Sequence, residues 1–321
     1  MTRILVTGAN GFVGRALVDE LLHSGFAVTA AVRDTAGLPT WPAAIRVVSV
    51  GDIHGATDWR AALEGVERIA HLAGLAHVTI ADDDKTEALY RAVNVDGTAA
   101  LAAAAAQGGV SRLLFLSSIK VNGEATTGRP FTAGDVAAPR DVYGRSKWQA
   151  EQSLDQIARA TGMACTVIRS PLVYGPGVRG NFARLLRLCD TPWPLPLGAI
   201  SNRRSLIARA NLVSAMIAGL THPAAANETF LLRDGEDLST TELVRRLRRA
   251  LGRAPRLVPV PAGLLAGTAR RIGLGGMAER LFGSLTIDDS KIRRRLNWQP
   301  PVEPGQALAA TATAYLMRDQ R

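Results

Sequence analysis

Cysteine and the aromatic residues are both scarce in this chain. It has two cysteines in 321 residues, and its aromatic share is 5%. Cys165 and Cys189 follow no disulfide or metal-ligand spacing, so neither a disulfide-stapled scaffold nor a cysteine-built metal centre is expected, and no metal site is assigned. Cys165 lies in an apolar strand-like run and reads as a small core residue. A long hydrophobic run is also missing. The stretch Ala99–Ala106 is too short to span a bilayer and reads as a buried helix. Met1 to Val6 leads straight into a strand and a glycine turn, with no signal-peptide pattern. Cysteine usage suits a reducing compartment, and a cytoplasmic location is expected. Internal repeats are absent.

Charge is not scarce, and it is one-sided. Lys and Arg number 38 against 28 Asp and Glu, a formal net charge of +10. Nucleic acid binding would use such an excess, but the basic residues are spread out and not interleaved with aromatics, so no nucleic acid partner is expected. The denser stretches, Arg245-Arg246-Leu247-Arg248-Arg249 and Arg293-Arg294-Arg295, read as solvated helix faces. A general attraction to an anionic substrate or membrane surface is the second reading. The 47% hydrophobic content allows a sizeable core, and the length suits one large α/β domain with a smaller lobe.

The first half alternates strand and helix. Strands are expected at Arg3–Thr7, Ala27–Val32, Ile45–Val50, Val66–Leu72, Arg112–Leu116 and Ala164–Arg169. Helices are expected at Phe12–His23, around Asp58–Leu63, over Lys85–Gln107 and around Tyr143. Apolar runs with little alternation, separated by helices, imply a doubly wound parallel sheet of Rossmann type covered on both faces. After Pro171, proline and glycine become frequent. Residues 1–172 are therefore assigned to a dinucleotide-binding domain and 173–321 mainly to a substrate-binding lobe. Segments within about 204–233, notably Ala210–Leu220 and Phe230–Leu232, are expected to return to the main domain.

Gly8-Ala9-Asn10-Gly11-Phe12-Val13-Gly14 lies between the first strand and the first helix. Its glycine spacing permits a tight turn and close backbone approach to a pyrophosphate at the helix N-terminus. The second strand ends in Val32, Arg33 and Asp34. Arg33 could hold a 2′-phosphate and stack on adenine, which favours NADP(H). In the alternative, NAD(H), Asp34 takes the ribose. Asp52 and Ile53 after the third strand could bracket the adenine. Leu72, Ala73 and Gly74 after the fourth would let backbone pass close to the dinucleotide. His71 and His77 read as structural.

Tyr143 and Lys147 share one helix face, about one turn apart. An ammonium beside a phenol favours the phenolate, and a nearby hydroxyl, from Ser117-Ser118, can hold the oxygen whose proton moves. That set interconverts an alcohol and a ketone, with a nicotinamide as the hydride partner. Tyr-x-x-x-Lys alone is common on helix surfaces; the glycine loop gives it weight.

Together these residues resemble the extended short-chain dehydrogenase/reductases, in their nucleotide-sugar epimerase/dehydratase branch, over nearly the whole chain. The resemblance implies catalytic roles for Ser118, Tyr143 and Lys147. It implies cofactor contacts from the glycine loop, from Leu72–Gly74, and from Asn94, Ser117 and Pro171. It implies substrate contacts from Ser118, Lys120, Asn181 and Arg204, the last gripping a diphosphate. Asn297-Trp298 resembles a structural C-terminal stretch of the family. A second substrate arginine has no clear match, Arg280 being the nearest.

Ile119 and Lys120 stand where the 4,6-dehydratases of the branch carry an Asp-Glu pair, so elimination is not expected. Val121-Asn122-Gly123 has asparagine where epimerases usually carry tyrosine. That variant resembles a subgroup of UDP-glucose 4-epimerase-like proteins and UDP-4-keto-6-deoxy-sugar reductases. With Arg33, it favours an NADP-dependent 4-keto reductase of a UDP-HexNAc-type sugar in surface polysaccharide synthesis. A UDP-glucose or UDP-GlcNAc-type 4-epimerase is the alternative, and a non-catalytic dinucleotide sensor is a third reading of another class. A lipid-linked sugar diphosphate is a further candidate substrate. The basic segment Pro261–Gly283 is expected to pack in the lobe rather than lie on a membrane. Homodimerisation is suggested by the resemblance alone.

Overall fold

The computed structural model describes residues 1–36, 41–76, 84–271 and 281–319. His77 and Arg280 lie outside the described residues, as does part of the basic segment after Pro261.

Ten strands are described. β1 (Arg3–Thr7), β2 (Ala27–Val32), β3 (Ile45–Ser49), β4 (Arg68–His71), β5 (Arg112–Ser118), β6 (Ala164–Ser170) and β9 (Thr229–Leu231) form a seven-stranded sheet ordered β3-β2-β1-β4-β5-β6-β9. Every pairing in it is parallel. The order reverses between β1 and β4, and at such a switch point a crevice opens at the carboxyl ends of the strands. Gly8, Leu72, Ser118 and Pro171 all sit at that edge, each at or just past the end of β1, β4, β5 or β6.

Alternation along the strands feeds two cores. Ile4 and Val6 pack with Leu17 and Leu21 of α1 (Phe12–His23) and with Leu212 and Met216 of α7 (Arg209–Thr221). Leu5, on the opposite face, packs with Leu101 of α4 (Gly97–Gln107) and Leu154 of α5 (Val142–Thr161). Strands apolar on both faces are what a sheet covered twice requires.

A second sheet, β10-β8-β7, is built from Asp237–Leu238, Arg204–Ala208 and Leu172–Tyr174. Its core joins Tyr174, Phe182, Leu206, Val244 and Leu308. The 204–233 segment thus divides: β8 belongs to the small sheet, while α7 and β9 pack on and extend the large one. Trp298 is buried against α7, its indole nitrogen donating to Ser214 Oγ at 3.2 Å.

Of the two arginine stretches, Arg294, Arg295 and Arg249 are exposed as expected, and the departure lies in the rest of the first stretch. Arg245 and Arg246 pair with Glu242, and Arg246 also with Glu236. Arg248 is buried and donates to the carbonyls of Ala254 and Trp193. Its guanidinium ties two loops together through those oxygens, so it belongs to the interior.

Candidate active site

The glycine loop is fixed by space as much as by flexibility. Gly8 has φ of +64°, and a Cβ there would lie 2.9 Å from the Ala73 nitrogen. A Cβ on Gly14 would come within 2.1 Å of the Gly8 carbonyl oxygen. Gly11 is the N-cap of α1 and offers no side-chain cap, and no acid stands in the first turn. The first amides of α1 are therefore left for an outside anion, which fits the pyrophosphate of a dinucleotide.

Arg33 does not stand alone at the end of β2. Its Nε meets Asp52 Oδ1 at 2.9 Å, both side chains largely exposed. Asp34 accepts the Ala36 amide at 3.0 Å. Ile53 is half-buried beside the core under α4.

Beneath the loop after β4, the Thr7 hydroxyl accepts the amides of Leu72 and Ala73, each at 3.1 Å. His71 is fully buried between Thr7 Oγ1 at 2.7 Å and Thr98 Oγ1 at 2.9 Å. Burial, reinforced by the Lys147 charge, pushes its imidazole down to about 3. His71 therefore stays neutral and structural.

Asn94 joins this loop to α5. Its Oδ1 accepts from the Leu75 amide at 2.8 Å, and its Nδ2 donates to the Leu75 carbonyl at 3.1 Å and to Ser146 Oγ at 2.9 Å. The Lys85–Gln107 helix expected from sequence is interrupted here. Asp84–Tyr90 (α3) and α4 flank a π-helical turn, Arg91–Asp96, which carries Asn94.

Ser118, Tyr143 and Lys147 are brought together. Ser118 ends β5, and the Tyr143 phenol is hydrogen-bonded with its hydroxyl. Tyr143 and Lys147 open α5, whose N-cap, Asp141, accepts the Gly144 amide at 2.7 Å. The Tyr90 ring lies 6.2 Å from that of Tyr143. Burial pushes the phenol up to about 12. The Ser118 hydrogen bond pulls it back, while Asp141 and Tyr90 push it further up. Lys147 Nζ sits 4.1 Å over the Phe115 ring, and burial pushes it down to about 7 against the opposing effect of Glu151. Burial is the largest influence on the phenol, and Lys147, expected from sequence to favour the phenolate, is not among the groups that shift it.

The substrate candidates are spread over other elements. Lys120 is engaged with Glu124 at 3.0 Å and with Asp141. Asn181 is exposed in the first turn of α6 (Gly180–Cys189). Arg204 is half-buried at the start of β8 and donates to the Gly283 carbonyl at 3.0 Å. Sequence reasoning did not find Glu151, Arg169 or Asp141, charged groups whose role depends on partners far along the chain. Among the described residues no three His, Cys, Asp or Glu side chains gather to hold a metal, and no helix is long and apolar enough to cross a membrane.

Residues 4–232 match the profile of the NAD dependent epimerase/dehydratase family. The chain belongs to that family. The family's match runs from β1 through β9, and so takes in the glycine loop and all three catalytic candidates. A UDP-glucose 4-epimerase of Vibrio cholerae is 42% identical, covering 99% of this chain and 97% of that protein. The N-acetyl-alpha-D-glucosaminyl-diphospho-ditrans,octacis-undecaprenol 4-epimerase of Escherichia coli O157:H7 is 30% identical over 82% of this chain and 77% of its own length. Among solved structures, a UDP-glucuronic acid 4-epimerase from Bacillus cereus in complex with NAD has the same fold. Its TM-score is 0.79 at 20% identity, over 99% of both chains.

Proposed function

We propose that this family member acts at C4 of a UDP-hexose, oxidising the alcohol and returning hydride to the ketone, as a 4-epimerase using NAD. The observation that carries this is Ser118, Tyr143 and Lys147 gathered at the same sheet edge as the uncapped glycine-loop helix. When bound, the nicotinamide supplies the hydride acceptor and, in its oxidised form, a positive charge that favours the phenolate. Tyr143 takes the proton from the C4 hydroxyl and gives it back. Ser118 holds the C4 oxygen while its proton moves. Lys147, buried one turn from Tyr143, can bond a cofactor ribose hydroxyl.

Inversion at C4 requires the ketone to offer its other face. The grip on the substrate therefore belongs on the diphosphate rather than the hexose, and Arg204 and Asn181 suit that task. The relative named UDP-glucose 4-epimerase supports epimerase over reductase. So does Arg33. The expected NADP-dependent reductase leaned on it, yet the Asp52 carboxylate at its side repels a 2′-phosphate. Elimination remains disfavoured, since Ile119 is buried and Lys120 is a cation.

The test is conversion of UDP-glucose to UDP-galactose by purified protein with no added cofactor. Tyr143→Phe should lower kcat by about 10²–10⁴-fold while leaving bound NAD in place. A near-normal rate would overturn the proton-transfer role. Mass spectrometry showing an empty site that takes up NADPH would favour the reductase.

A further inference from the structure

Lys120 has a place in this site that neither hydride transfer nor the cofactor cradle requires. Its backbone amide donates to Ser118 Oγ at 3.3 Å, in the short 3₁₀ turn Ile119–Val121. Its ammonium spans to Asp141 Oδ2 and to Glu124 Oε1, the latter at 3.0 Å. The other Asp141 oxygen caps α5 through the Gly144 amide. The helix start is pressed onto the turn, because a Cβ on Gly144 would lie 3.0 Å from the Lys120 carbonyl oxygen and 3.2 Å from Asp141 Oδ1. One lysine thus joins the strand end carrying Ser118 to the helix carrying Tyr143.

We propose that Lys120 is a positioning residue: its ion pair with Asp141 locks the start of α5 to the 119–121 turn and offsets part of the carboxylate's charge beside the Tyr143 phenol. This rests on the reading of Tyr143 as the proton-transfer group. It differs from a direct substrate contact by Lys120.

The charges around the phenol make the pair matter. Ser118 reaches it from β5 and Tyr90 from α3. Glu87 of α3 is engaged with Arg145 at 3.7 Å. On α5, Lys147 lies one turn away and Glu151 lies beyond it with Arg169. His71 is neutral. Lys120 and Glu124 stand on the turn side. Of these carboxylates, Asp141 is the one that pushes the phenol's pKa up. Removing the lysine exposes the phenol to that charge in full, and the phenolate becomes harder to form.

The experiment reads two quantities on the NAD-loaded protein, in which the nicotinamide's positive charge lowers the phenol from about 12: kcat from about pH 6 to 10, and phenolate absorbance from about pH 6 to 12 with the Tyr143→Phe spectrum subtracted. Lys120→Met should move the phenol's titration up by about one unit and cost about tenfold in kcat at neutral pH, with KM for the UDP-sugar little changed. Lys120→Arg should titrate like wild type. Asp141→Asn keeps a side-chain cap, since asparagine caps as well as aspartate, so Lys120→Met/Asp141→Asn should bring the titration back. An unmoved titration with raised KM in Lys120→Met would overturn the proposal and make Lys120 a substrate contact. A double variant that stays shifted would also overturn it. If Tyr143→Phe proves active, the proposed function fails, while the subtracted absorbance still reports whether Lys120 and Asp141 govern this phenol.

Discussion

Glu151 and Arg169 form a two-pronged ion pair inside the protein. Arg169 Nη2 meets Glu151 Oε2 at 2.6 Å, with side-chain exposures of 5% and 4%. Glu151 Oε1 also accepts the Ser117 hydroxyl at 2.5 Å, and Arg169 Nη1 donates to Asn122 Oδ1 at 3.0 Å. Asn122 in turn donates to the Thr132 carbonyl at 3.0 Å. The asparagine found where epimerases usually have tyrosine is therefore an internal acceptor that completes the arginine's bonding. A buried pair of this kind adds little net stability, but breaking it leaves an unpaired charge out of water.

Glu151→Gln should accordingly lower the unfolding free energy by about 3–5 kcal/mol, read as denaturant midpoint at constant slope. Glu151→Met/Arg169→Met should lose much less than the sum of its two single variants. Simple additivity would show that the two side chains do not compensate one another.

Gly14→Ala tests the cofactor cradle through space alone. The added methyl would sit on the Gly8 carbonyl, so the turn must open. NAD affinity, measured by calorimetry, should fall at least about tenfold even where the protein remains folded. Unchanged affinity would place the pyrophosphate elsewhere.

The His71 imidazole, held down at about 3, makes stability fall in acid. Between its ordinary value near 6.5 and 3, the unfolded chain takes up a proton that the folded chain refuses. Its contribution is complete above about pH 6.5 and is lost progressively down to about pH 3, amounting to about 2 kcal/mol by pH 5. Thermal melting of wild type and His71→Gln at pH 7 and pH 5 checks this. The variant should be less stable at pH 7 but lose less on acidification.

Arg33→Ala should leave NAD binding within about threefold, because the guanidinium is exposed and already paired with Asp52. A large selective loss of NADPH binding would restore the 2′-phosphate role read from sequence.

The frame of the fold was legible because buried parallel strands must be apolar on both faces and glycines must mark the turn. Arg3–Thr7, Phe12–His23 and Ala27–Val32 have the bounds their patterns predict. That Tyr143 and Lys147 share one helix was legible for the same reason: their spacing is local. What stayed hidden depended on partners distant in sequence. Arg33 displays a charge, but nothing in its neighbourhood announces Asp52. Arg248 sits in a run of arginines and looks like surface until the carbonyls it satisfies are in place. Glu151 has the helical spacing of a solvated residue, and only the β6 strand supplies Arg169.

The wide turn at Arg91–Asp96 adds a constraint of length to the constraints of chemistry. Each residue turns a helix by about 100°, so the extra residue held in a π-helical turn sets the direction in which Asn94 faces. Exchanging the half-buried Ala92 for another small side chain leaves that count intact. Deleting it would swing Asn94 away from Leu75 and Ser146 while every bonding group remained in the chain. In this stretch the number of residues is itself inherited information, and evolution by insertion or deletion is closed where evolution by substitution stays open.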